Sequence, residues 1–68
     1  MISFEPLKQT LKEKDMKISH LRSDRGGFIS SATVAKINKN ENIEISVLDD
    51  ICRELDIPIE KVIKFVKE

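Results

Sequence analysis

The apolar positions of this chain recur at helical spacing almost from end to end. Phe4, Leu7 and Leu11 lie three and four residues apart and predict one stripe of a first helix. Ser3 is placed to cap it, and Pro6 falls in its first turn, where a missing N–H costs nothing. Lys12-Glu13-Lys14-Asp15 closes it, with lysines suited to the negative end of the helix dipole. Met16, Ile18 and Leu21 pattern a short second helix over Lys17 to Asp24, stopped by Arg25-Gly26-Gly27, where paired glycines allow positive φ. Phe28 and Ile29 should then drop into the core. Ser30-Ser31-Ala32-Thr33 opens a third helix at about 30–39, with either serine as cap and with Val34 and Ile37 facing inward. Asn38-Lys39-Asn40-Glu41-Asn42 ends it with residues that tolerate left-handed geometry. Ile43-Glu44-Ile45 reads as an extended connector. Ser46-Val47-Leu48-Asp49 resembles a capping box with Asp in place of Glu, and Leu48, Ile51, Cys52 and Leu55 form the stripe of a fourth helix. Asp56-Ile57-Pro58 breaks that helix. Ile59, Val62, Ile63 and Val66 define a fifth, starting near Pro58, with Phe65 beside its stripe. The pattern predicts an all-α, compact five-helix domain and no convincing strand pair.

Composition narrows the class. A length of 68 residues leaves room for one domain, 1–68, burying roughly 60% of its unfolded surface. At 40% hydrophobic and 35% charged, the chain is too apolar for disorder and too charged for a membrane protein. No apolar run approaches the ~18 residues of a membrane span, and no basic-then-apolar leader is evident. One cysteine excludes an internal disulfide, so a cytoplasmic location is expected. The net charge of +0 taken alone argues against a nucleic-acid binder. The average hides a split. Met1 to Asn40 holds eight basic and four acidic residues, a net +4, whereas Glu41 to Glu68 holds four and eight, a net −4. Two faces of opposite charge follow from such an asymmetry.

The residues offer little for catalysis. His20 is the lone histidine, Cys52 reads as a small buried hydrophobe on the fourth stripe, and Asp49 reads as a cap beside a solvated Asp50. No metal, cofactor or enzymatic activity is expected. The segment Lys17 to Lys39 is more informative, because it reads helix, glycine turn, helix. In a helix-turn-helix the second helix presents its N-terminal residues to base edges in the major groove. The third helix fits that role: Ser31, Ala32, Ala35, Lys36 and Lys39 lie opposite Val34 and Ile37. Small residues at its start permit close approach, Lys36 can reach a guanine edge or a phosphate, and Lys39, Asn40 and Asn42 suit the sugar-phosphate backbone. The helix start itself offers N–H groups to a phosphate.

These stretches resemble the small Cro-repressor/XRE-type helix-turn-helix regulators. The likeness covers Met1-Ile2-Ser3-Phe4-Glu5-Pro6-Leu7 with Thr10-Leu11, then Asp15-Met16-Lys17 and Leu21-Arg22. It is strongest over Ile29 to Ile43, which resembles a recognition helix and its following Lys-Asn-Glu-Asn loop, and it continues through Val47-Leu48, Ile51-Cys52 and Leu55. One departure stands out: Gly26-Gly27-Phe28-Ile29-Ser30 is about two residues longer than the Gly-Ile-Ser turn usual before that helix. The resemblance implies a five-helix, lambda-repressor-like fold and a transcriptional regulator, a repressor acting by operator occupancy on double-stranded DNA. Ser31, Ala32 and Lys36 are the expected base readers. Lys17, Ser19, Ser30, Thr33, Lys39, Asn40 and Asn42 are the expected backbone contacts. A homodimer through the last helix, at Phe65 and Val66, is expected as well. The alternative is a protein-interaction or antitoxin-like module on the same fold, which the acidic second half favours.

Overall fold

The computed structural model describes residues 1–67. In chain order it comprises β1 (Ile2–Ser3), α1 (Glu5–Glu13), two 3-10 turns (Ile18–Leu21 and Ser23–Arg25), α2 (Ser31–Asn38), α3 (Ile45–Leu55), a third 3-10 turn (Ile59–Lys61) and β2 (Lys64–Phe65). The domain is mostly helical, with three α-helices rather than five. The second expected helix is a pair of 3-10 turns, and the fifth is a 3-10 turn followed by a strand. β1 and β2 pair antiparallel, Ile2 opposite Phe65 and Ser3 opposite Lys64, so a strand pair does exist.

Both departures have the same cause: carbonyls that an α-helix needs are taken by partners elsewhere. The Leu21 carbonyl accepts the Phe28 and Ile29 N–H groups at 3.0 and 2.8 Å, so Arg25 N–H turns to Arg22 instead, at 3.0 Å. At the other end, the Lys61 carbonyl accepts the Thr10 hydroxyl at 3.0 Å. The Val62 carbonyl accepts Leu7 N–H at 3.2 Å, and Val66 N–H is left to reach Met1 O at 2.8 Å. Every backbone polar group needs a partner, and here the tertiary partners win.

The stripes of the helices converge as their spacing requires. Phe4, Leu7 and Leu11 of the α1 region, Leu21 and Ile29 on either side of the glycine turn, Val34 and Ile37 of α2, Ile51 of α3, and Val62 form the buried cluster. Phe28, Leu48, Cys52 and Leu55 are only partly buried around it. Thr10 is the buried polar residue among those described, and its bond to Lys61 satisfies it.

Helix ends follow a repeated device. α1, α2 and α3 are each closed by a non-glycine residue in the left-handed region: Asp15, Asn40 and Asp56, with φ of 56°, 56° and 54°. Behind each, a paired backbone bond runs backward: Met16 to Leu11 and Asp15 to Lys12, Glu41 to Lys36 and Asn40 to Ile37, Ile57 to Cys52 and Asp56 to Arg53. This is the Schellman arrangement, usually built on glycine. Asp and Asn are the non-glycine residues that tolerate it best.

Helix starts differ more from expectation. Ser3 lies one residue outside the α1 cap position, Phe4, yet its Oγ still accepts Glu5 N–H at 3.2 Å. Pro6 has no N–H, and Leu7 N–H goes to Val62, so the first turn of α1 is fully satisfied. α3 begins at Ile45, inside the expected connector, and Glu44 occupies its cap position without accepting a helix N–H, its Oε2 accepting the Ser46 hydroxyl at 3.4 Å instead. The expected capping box does not form: Asp49 pairs with Arg53 one turn on, at 2.8 Å.

Candidate nucleic-acid interface

α2 stands on the protein as a helix half of whose circumference is committed. Val34 and Ile37 are buried, and Ser31, Ala32, Ala35, Lys36 and Lys39 are all exposed. The start of the helix is set locally. Ser30 has extended backbone, and its Oγ accepts Thr33 N–H at 3.2 Å and donates to Thr33 Oγ1 at 3.0 Å. Thr33 Oγ1 is therefore an acceptor inside the pair and keeps its own proton for an outside acceptor. Among the described residues, the Ser31 and Ala32 N–H groups have no partner. Two free N–H groups at the positive end of a helix form an anion-facing surface.

The turn ahead of α2 decides where that helix points. Ser23 to Gly26 are exposed, and Gly27, Phe28 and Ile29 turn back toward the core. Arg22 and Ile29 form a parallel bridge, Ser23 N–H reaches Ile29 O at 2.7 Å, and Gly27 N–H reaches Arg22 O at 2.8 Å. The two glycines serve different needs. Gly26 supplies a left-handed residue, φ 84°, with open space around it. Gly27 has no positive φ, but a Cβ there would lie 2.2 Å from the Leu21 carbonyl oxygen, so only hydrogen fits. The Arg22 guanidinium is tied to Asp24 at 2.7 Å across the second 3-10 turn.

The remaining candidates fall in two places. Lys17 is exposed and Ser19 is partly buried in the first 3-10 turn. Lys17 N–H donates to His20 Nδ1 at 3.1 Å, so a neutral His20 carries its proton on Nε2 as an outward donor. Lys12 and His20 share a shallow basin of about 450 Å³ with Lys17, Asp15 and Met16. Sequence reading set neither Lys12 nor His20 among the contacts. Asn40 sits on the far end of α2, and its Oδ1 accepts Phe4 N–H at 2.8 Å, clamping the start of α1. Its amide NH₂ is left to donate to another partner. Asn42 and Lys39 are exposed beside it.

Phe65 and Val66 do not lie on a helix. Phe65 is in β2 with 81% of its surface exposed, and Val66 follows it with 39%. Among the described residues no helix is long and apolar enough to cross a membrane.

Comparison with known proteins agrees with this geometry. No curated protein matches the chain. The crystal structure of the transcriptional regulator VanUg, form II, is similar with a TM-score of 0.86 and 36% identity, over 98% of this chain and 87% of that one. Residues 6–68 match the Cro/C1-type HTH DNA-binding domain, and the chain belongs to that helix-turn-helix family.

Proposed function

We propose that this chain, acting as one unit over 1–68, regulates transcription in the cytoplasm by occupying an operator in double-stranded DNA. α2 serves as the recognition helix, with Ser31, Ala32 and Lys36 reading bases. Lys17, Ser19, Ser30, Thr33, Lys39, Asn40 and Asn42 hold the sugar-phosphate backbone. The observation that carries this reading is the outward face of α2: small residues and two unpartnered N–H groups at its start, and one long cation, Lys36, at its middle. Operator occupancy is by itself sufficient to repress. A second copy joins through the exposed Phe65 of β2, which doubles the contacted site.

Selection of bound sequences from random duplex DNA tests the reading. One enriched motif is expected, and its absence would refute sequence-specific binding. On that motif, Lys36→Ala weakens binding by about 1–3 kcal/mol, as for loss of one base contact. Lys39→Ala weakens all duplexes alike and flattens the salt slope by about one unit. A uniform loss with Lys36→Ala would reassign Lys36 to a phosphate.

A further inference from the structure

An open apolar groove of about 410 Å³ runs along α3 and the 3-10 turn that follows it. Ile45, Leu48, Cys52 and Ile59 form its wall, and Asp49 stands at its rim. Ile45, Leu48 and Cys52 are spaced three and four apart, so they make one stripe about 10 Å long over two helical turns. Ile45 is 82% exposed and Ile59 45% exposed, although the core beside them is closed. Apolar side chains that converge in solvent mark a contact surface.

The charge around the groove selects its occupant. From Glu44 to Lys61 the chain holds six acidic residues and two basic ones, a net −4. Asp49 and Glu60 both act on the Cys52 thiol in the groove wall, and with burial, the larger effect, they push its pKa up. Asp49 lines the groove, and Glu60 follows Ile59 of its wall in the chain. Duplex DNA would meet this surface with repulsion. A second copy docked here by a two-fold axis would bring together two segments that each carry a net −4.

We propose that this groove docks a cationic amphipathic helix of a partner protein, its apolar stripe seated on Ile45, Leu48, Cys52 and Ile59 and its lysines or arginines facing Glu60, Asp49 being already paired with Arg53. A helix of two to three turns covers the stripe, the helix-in-groove mode of recognition. The proposal is independent of the DNA reading and leaves α2 free.

The test uses the full chain and three synthetic 14-residue fluorescent peptides: a Leu/Lys amphipathic helix, a Gln/Lys peptide of equal charge, and a Leu/Glu helix. Fluorescence anisotropy is expected to show the Leu/Lys peptide binding at least tenfold tighter than Gln/Lys, with no binding of Leu/Glu. Amide shifts in NMR spectra should centre on Ile45, Leu48, Cys52 and Ile59. Ile45→Gln and Glu60→Lys alter exposed residues, so each should keep its far-UV circular dichroism while weakening the Leu/Lys peptide at least fivefold. Equal binding of Leu/Lys and Gln/Lys would overturn the proposal, as would shifts centred on α2 or Phe65. Sedimentation showing a dimer that Ile45→Gln dissolves would overturn it in favour of a second copy.

Discussion

Residues 17–25 and residues 31–38 flank one glycine turn and carry similar helical patterns, yet only the second became an α-helix. The 31–38 segment has a local cap, Ser30, and a local stop, Asn40, and its carbonyls are free to serve its own ladder. The 17–25 segment also has a start contact, Lys17 N–H to His20 Nδ1, and a left-handed stop, Gly26, but its central carbonyl, Leu21 O, is claimed by Phe28 and Ile29. Patterning states which face is buried. Whether the backbone closes as an α-helix depends on who else competes for its carbonyls. The consequence is functional: a tight, cross-braced 17–29 segment holds α2 in place while α2 itself stays regular and outward-facing.

That contrast can be broken most sharply at Gly27. Gly27→Ala puts a methyl against the Leu21 carbonyl, a backbone atom that cannot swing away, and should destabilise by about 3 kcal/mol or more. Gly26→Ala faces open space and pays only the left-handed backbone term, about 1 kcal/mol. Urea unfolding of the two variants measures the difference. Equal losses would show that close approach to Leu21 is not what the turn requires.

Ser30→Ala removes the one side-chain cap of α2 and should cost about 1 kcal/mol. Hydrogen exchange in the first turn of α2 should rise with it, while exchange at Phe28 and Ile29 N–H stays slow. If both rise together, the cap and the turn are one cooperative unit.

Asp15→Gly should act in the opposite direction. It relieves the left-handed strain at the end of α1 and removes an acid from the negative end of the helix dipole, for a gain of about 0.5–1 kcal/mol in thermal unfolding. No gain would mean that the aspartate contributes something besides its φ.

The smallest effect concerns Cys52, on the acidic side of the molecule. Its thiol pKa is raised above the ordinary 9.0 by burial and by Asp49 and Glu60. The folded state therefore favours the protonated thiol. Its stabilising contribution is complete well below pH 9 and is lost as pH rises through the raised value. Alkylation by iodoacetamide at pH 8 should be slower in the native chain than in the urea-unfolded chain. Glu60→Gln should narrow that gap.

Much of the fold was legible in the chain. The stripes Phe4-Leu7-Leu11, Val34-Ile37 and Ile51 marked the buried faces, because a 3.6-residue period survives whatever packs on it. The Ser30-Ser31 pair and the run from Asn38 to Asn42 marked the two ends of α2, and the structure uses Ser30 and Asn40 of them. The glycine turn and the outward face of α2, and so the candidate interface, followed from these. Cys52 and Phe28 were expected deeper than they lie, since their stripes state direction but not how much surface a neighbour covers.

Local sequence thus determined that three α-helices form and which stripe of each turns inward, and it located the ends of α2, for those depend on spacing and on side chains within a turn of each other. Tertiary structure alone decided the rest. It made 17–25 a pair of 3-10 turns, because the Leu21 carbonyl found partners across the glycine turn, and 64–65 a strand, because the Lys61 and Val62 carbonyls found partners far along the chain. It gave Asn40 the Phe4 amide to hold, 36 residues away. It also brought Ile59 beside Ile45 and Cys52, leaving an apolar groove among acids. Hydrogen bonds and contacts between distant segments carry no periodicity, so no pattern along the chain could announce them.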